Sequence, residues 1–169
     1  MRYTIAVALL SLAPGGGGDL LGQRPVLVQR SMAGPRLGLT FVSGSRAAAK
    51  LQEYGLDALM SQFGWHFEQD VSPLSTGPAF VVEEVLLVGA VEQSTLVPSA
   101  TLLMGIRFPG GFEFGLGPNL SPVGPGLAFG IGKSLNYGGV SLPINLAVVR
   151  SPGALRTTLL VGYAIQTSN

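Results

Sequence analysis

The stretch Leu127-Ala128-Phe129-Gly130-Ile131-Gly132-Lys133-Ser134-Leu135-Asn136-Tyr137, then Gly138-Gly139, then Val140-Ser141-Leu142-Pro143-Ile144-Asn145-Leu146-Ala147-Val148 decides the fold. Both runs alternate with a period of two, which is the spacing of a strand. The Gly-Gly pair between them is a hairpin turn. In the first run Leu127, Phe129, Ile131, Leu135 and Tyr137 share one face. In the second, Leu142, Ile144, Leu146 and Val148 do. The opposite faces carry Ala, Gly, Ser, Asn and Pro. A soluble antiparallel sheet turns its second face to water with lysine, glutamate and arginine. Here that face is small and neutral, while the large face is apolar but for Lys133.

The same pattern extends outward in both directions. On the C-terminal side Thr157, Leu159, Val161, Tyr163 and Ile165 oppose Thr158, Leu160, Gly162 and Ala164. On the N-terminal side Ala100, Leu102, Met104 and Ile106 oppose Thr101, Leu103, Gly105 and Arg107, and Phe112, Phe114 and Leu116 oppose Glu113, Gly115 and Gly117. Further strands are expected over residues 25–30, 36–42, 65–71 and 80–91. Between the second and third of these, Ser45 can cap a helix through Ala47, Leu51 and Tyr54. Gly55 ends it and Asp57 starts another turn, so one helical insertion is expected at 45–63. The fold class is therefore all-β, an antiparallel meander of about eight strands closing into a small barrel or strongly curved sheet. Residues 19–169 are read as one domain.

Charge decides what surrounds the sheet. Only 11% of the 169 residues are charged, under half the usual share, and 47% are apolar. The last 62 residues contain only Glu113, Lys133, Arg150 and Arg156. Three of these flank expected turns, as does Arg107. Strands about 9–11 residues long, with charge confined to their ends, are what a bilayer imposes, and closing the sheet satisfies every backbone group as lipid requires. Met1-Arg2 and the uncharged run from Tyr3 to Ala13 read as an export signal within residues 1–18. A net charge of +1 gives no electrostatic reason to bind nucleic acid.

The half of the chain from Ala100 to Ile165 resembles the small glycine-rich outer-membrane β-barrel proteins of Gram-negative bacteria. The residues that carry the likeness are the glycine-rich strand from Phe112 to Asn119, the Gly130/Gly132 strand, and Leu142-Pro143-Ile144-Asn145-Leu146-Ala147-Val148 followed by the run from Leu159 to Ile165. The resemblance implies an exported barrel of structural role, in the outer membrane or at the periplasmic or cell surface.

Few residues suggest chemistry. The chain has no cysteine and one histidine, which excludes thiolate sites and multi-histidine metal sites. His66, Glu68 and Asp70 alternate on one strand face and are the candidate metal ligands, against a plain polar stripe. Glu83 and Glu84 must point to opposite faces, and the buried one needs a partner such as Lys133 or Arg107. Gly15–Gly18 and Gly115-Leu116-Gly117 lack the residues of a phosphate loop, and no serine sits in a nucleophile elbow. Trp65, Phe67, Phe108, Phe112, Tyr137 and Tyr163 fit an interfacial girdle, and ordinary core packing explains them nearly as well.

No enzyme activity, catalytic residue or cofactor is expected. The favoured reading is a non-enzymatic structural membrane barrel whose Leu142, Ile144, Leu146 and Val148 face lipid. A second is an accessory subunit burying that face against neighbouring chains. A third is a soluble barrel binding an apolar small molecule through Trp65, Phe67, Phe112 and Phe114.

Overall fold

The computed structural model describes residues 28–72, 77–137 and 140–167. The export segment at 1–18, the Gly138-Gly139 turn and residues 73–76 lie outside them. The strands are β1 (Val28–Ser43), β2 (Leu59–Ser72), β3 (Ala79–Gly89), β4 (Val97–Arg107), β5 (Phe112–Leu120), β6 (Gly126–Tyr137), β7 (Val140–Ser151), β8 (Ala154–Gly162) and the short β9 (Ile165–Thr167). One α-helix, α1 (Ser45–Tyr54), joins β1 to β2. Each strand pairs antiparallel with the next in sequence from β2 to β8, and β1 pairs with both β2 and β8, so the sheet closes. β9 pairs with β1 in the register that β8 began, Ala33 opposite Ile165 as Arg36 is opposite Gly162. It is therefore the continuation of β8, and the barrel has eight staves.

The register fixes the barrel's size. Following partners around the sheet leads from Ser31 through Gln69, Val82, Met104, Leu116, Phe129, Val148 and Thr157 to Phe41. One circuit thus climbs ten residues along β1. With eight strands about 4.8 Å apart and a rise of about 3.3 Å per residue, that stagger means a tilt of about 41° and a backbone radius of about 8 Å. An eleven-residue strand such as β3 or β4 then rises about 27 Å along the axis, close to the ~25 Å apolar band of membrane barrels.

Polarity is inverted relative to a soluble protein. Among the described residues the buried set holds Arg36, His66, Glu68, Asp70, Glu83, Glu113, Asn119 and Arg156, while Leu37, Leu39, Phe63, Leu86, Phe129, Leu146 and Leu159 are each at least 40% exposed. Alternation produces this directly, since in β3 buried and outward residues take strict turns from Ala79 to Gly89. The largest apolar cluster inside lies at one end, with two smaller ones around Leu160 and Leu103. At that end Ala47 of α1 packs with Val42, Met60, Ala90 and Ala154, backed by Leu51, Leu56, Val97 and Val123. The helix is thereby a stopper in the mouth of the barrel. The backbone N–H groups of Arg46 and Ala47 donate to Gly153 O at 2.9 and 3.4 Å, tying it to the β7–β8 turn.

The helix is shorter than the sequence suggests. Gly55 adopts the left-handed conformation (φ 65°) and closes α1, with its N–H turned back onto the last turn. Residues 59–63, expected to be helical, belong to β2, with Met60 and Gln62 buried and Leu59 and Phe63 outward. Ser45 is the first helical residue and not its cap; Gly44 holds that place without a side-chain bond. The two segments expected at 25–30 and 36–42 are one strand, β1, as far as the described residues reach.

Glycine permits the closest approach between staves. Gly105 lies opposite Gly115, and a Cβ on Gly105 would sit 2.0 Å from Phe114 O. Gly105→Ala is expected to cost about 1–3 kcal/mol of unfolding free energy in detergent micelles. Gly130→Ala, whose Cβ would meet only the tip of Leu103 at 3.2 Å, should cost less than about 1 kcal/mol. Denaturant unfolding of both variants checks this, and equal losses would contradict the assigned β4–β5 approach.

Candidate functional site

The barrel interior is built in tiers because alternate residues of every strand point inward at staggered heights. The lower tier is ionic. Arg107, at the end of β4, reaches between Glu68 of β2 and Glu113 of β5. Its Nε donates to Glu113 Oε2 at 2.8 Å and an Nη donates to Glu68 Oε2 at 2.6 Å, with further contacts to both carboxylates. Asn145 of β7 donates to the other oxygen of Glu113 at 2.8 Å. Arg36 of β1 donates to His66 Nδ1 at 2.7 Å and to Tyr163 O at 2.9 Å. A guanidinium has no acceptor, so Nδ1 must accept and the ring proton sits on Nε2. That nitrogen is 3.1 Å from Glu83 Oε2, close but off the hydrogen-bond line.

The upper tier is hydroxylic. Asn119, 1% exposed, donates to Ser99 Oγ at 2.9 Å and to Thr101 Oγ1 at 2.7 Å, and its carbonyl accepts from Arg156 of β8. Thr40 and Thr158 share a hydrogen bond of 2.7 Å across the β1–β8 pair that closes the barrel. Small residues make room for these groups, since Gly105, Gly115, Gly130 and Ala147 form one continuous inward row across four strands. Between the tiers and α1 lies a cavity of about 110 Å³, bordered by Arg156, Thr158, Asn119, Leu103, Val149 and Leu51 among others.

The expected sites are redistributed by this geometry. His66, Glu68 and Asp70 all point inward and are buried. They do not form a metal centre: among the described residues no group of three such side chains is placed to hold an ion. His66 is engaged by Arg36 and Glu83, and Glu68 by Arg107. Trp65, Phe67, Phe112 and Phe114 point the other way. The first three are over 40% exposed on the outer surface, and Phe114 lies half-buried on that same face. They cannot line an interior site, because residues next to inward Glu113 or His66 in a strand must face out. Trp65 stands mid-strand in β2, away from any girdle at the strand ends.

Leu142, Ile144 and Leu146 are exposed and Val148 half-buried, all outward. Of the acidic pair, Glu83 is inward and Glu84 is exposed on the outer face between Phe67 and Leu102. Glu83 takes His66, whereas Arg107 is used by Glu68 and Glu113, and Lys133 donates to Gly110 O at the outer rim. Arg36, Asn119 and Arg156 were not legible as site residues. Their signal was parity alone: each sits two or four positions from small inward residues, opposite an apolar run.

Outside the barrel wall, Glu92 of the β3–β4 connection clamps the start of β2. Its carboxylate accepts from the Ser61 hydroxyl and from the Ser61 backbone N–H at 2.9 Å, which together hold it well below the usual carboxylate range, at about 2.

The fold is similar to that of Ail, the attachment invasion locus protein of Yersinia pestis, with a TM-score of 0.56 and 12% identity over 82% of this chain and 98% of that one. A second crystal structure of Ail, in complex with the heparin analogue sucrose octasulfate, aligns with a TM-score of 0.51 and 11% identity over 81% and 99% of the two chains. At such identity the likeness is one of fold. No protein-family model and no curated protein matches the sequence.

Arg107 holds two buried carboxylates, so Arg107→Met strands both of them. The expected cost is about 3–5 kcal/mol, read by denaturant unfolding in micelles. A loss below about 1 kcal/mol would mean that Glu68 and Glu113 are solvated and not sealed in the wall.

Proposed function

We propose that the chain is an integral outer-membrane β-barrel of structural, non-enzymatic role, with lipid covering its outer face. The observation that carries this reading is the inversion of polarity: adjacent residues such as Phe112 and Glu113 place an aromatic ring outside and a carboxylate, 2% exposed, inside. Monomeric soluble proteins rarely expose an apolar patch above roughly 300–600 Å². Large apolar side chains stand on every side of this surface, Leu39, Phe63, Leu86, Leu116, Phe129 and Leu159 coming from six different strands, with Glu84 a charged exception. Closure of the sheet leaves no unpaired strand edge for lipid to meet. The likeness to Ail supports the same placement.

Non-enzymatic character rests on how the interior is used. The single histidine accepts from Arg36 at Nδ1 and keeps Nε2 buried beside Glu83, and Glu68 and Glu113 are tied to Arg107. None of these is arranged as a base beside a nucleophile. Polyanion binding of the kind named for Ail is not carried across. The α1 end of this barrel sets Arg46 and Lys50 against Glu53, Asp57 and Glu92, a nearly neutral surface with Lys50 already paired to Glu53.

Leu146, near the middle of β7, tests the placement. Leu146→Arg is expected to cost about 2–4 kcal/mol for folding into a bilayer. Cysteine at position 146 should react with a lipid-soluble maleimide and resist a water-soluble one. Rapid reaction with the water-soluble reagent would contradict a lipid-facing surface, and resistance to both would mean that other protein chains cover it.

A further inference from the structure

The two tiers of the interior differ in what they lack. In the lower tier Arg36 and Arg107 lie among Glu68, Glu83 and Glu113, so the guanidinium charges there have carboxylates around them. In the upper tier Arg156 is only 8% exposed, yet no carboxylate among the described residues lies within ion-pair distance of it. Its single hydrogen bond is one Nη donating to Asn119, and its Nε is buried without an acceptor. A buried cation without a partner is costly and is seldom left so.

The neighbouring groups add to the same surplus. Asn119 donates both amide hydrogens, to Ser99 and Thr101, so those hydroxyls act as acceptors and their own hydrogens remain unspent. Of the Thr40–Thr158 pair, one hydroxyl hydrogen is used between them and the other is free. Arg156, Ser99, Thr101, Thr40 and Thr158 all border the cavity below α1. The wall around Arg156 therefore offers hydroxyl donors and a positive charge that no carboxylate pairs with. An apolar wall lies beside it, formed by Val42, Met60, Leu103, Ala128 and Val149, and the lower-tier groups Glu113, Glu83, His66, Gln62 and Asn145 also border the cavity.

We propose that this cavity is a binding site for a small monocarboxylate with a short acyl tail, its carboxylate held by Arg156 and the threonine hydroxyl and its tail lying against Leu103 and Val149. One unpaired guanidinium fits one negative charge, and a carboxylate is an acceptor-only group that takes two donors at once. The volume of about 110 Å³ is well below the roughly 300–1,000 Å³ of sites for drug-sized ligands. At about 30 Å³ per water it equals the room of three or four waters, which suits a tail of a few carbons. Lys50 and Tyr54 also border the cavity and are part of the surface of α1, so entry is from the helix end. The site does not depend on what covers the barrel outside.

The test uses the full chain in detergent micelles with methyl-labelled leucine and valine, titrated with pentanoate and with pentanol, its uncharged counterpart. Pentanoate should shift the Leu103 and Val149 methyl resonances saturably, and pentanol should bind at least about tenfold more weakly. Arg156→Met should reduce pentanoate to the pentanol level and, by removing an uncompensated charge, unfold at a higher temperature without ligand. Ala128→Leu keeps Arg156 and fills the cavity, and it should abolish binding; this variant decides the matter if Arg156→Met does not fold. Equal binding of pentanoate and pentanol, unchanged binding in either variant, a response to chloride as large as that to pentanoate, or no saturable shift would each overturn the proposal.

Discussion

The structure depends on β1 pairing on both of its edges. Because Val28–Ser43 bonds to β2 on one side and to β8 and β9 on the other, the sheet has no edge, and every strand has one face toward the axis and one away from it. A stagger of ten residues over eight strands then sets a radius at which long side chains from opposite staves meet near the centre. That is why Arg107 can join Glu68 and Glu113, which come from non-adjacent strands. A wider barrel would leave those charges in water; a narrower one would exclude them.

Once the sheet is closed, the distribution of polarity follows from what each face meets. Interior polar groups pair with one another, ions below and hydroxyls and an amide above, with an apolar stopper under α1. The ion pairs are surrounded by a low-dielectric wall, where breaking one partner costs far more than forming the pair yields. The tiers thus restrict the register as well as adding stability, since a one-residue slip of any strand would drive its charges out and its leucines in. The upper tier differs in charge, for Arg156 is buried with no carboxylate beside it, which leaves a surplus positive charge there. A structural role alone gives no reason for that surplus.

Much of this architecture was legible in the sequence. Strict alternation over Val140 to Val148 and Ala100 to Ile106 placed those side chains on the correct faces, because period two survives whatever the strand is packed against. The excess of small neutral residues on one face signalled that this face was not in water. Asp57 was misleading as the start of a second helical turn running to Phe63. The helix signal fails there because Leu56 and Met60 both pack under α1 from different elements while Phe63 turns outward. The interior partners were illegible for a different reason. Pairing Arg107 with Glu68, or Glu83 with His66, requires the shear of the barrel, and no local pattern encodes it. For the same reason the polar stripe of His66, Glu68 and Asp70 could be seen, but not that separate partners divide it, nor that Trp65 and Phe67 belong to the outside.

The central claim is that the outer face meets lipid and the inner face meets neither lipid nor bulk water. Methyl resonances of the protein in lipid nanodiscs test it most directly, with a spin label carried on the lipid chains and, separately, a water-soluble gadolinium chelate. Leu39, Leu86, Leu146 and Leu159 should broaden with the lipid-borne label and not with the chelate, while Val81, Leu103 and Leu160 should be spared by both. Broadening of Leu86 and Leu146 by the chelate in place of the lipid label would contradict the account.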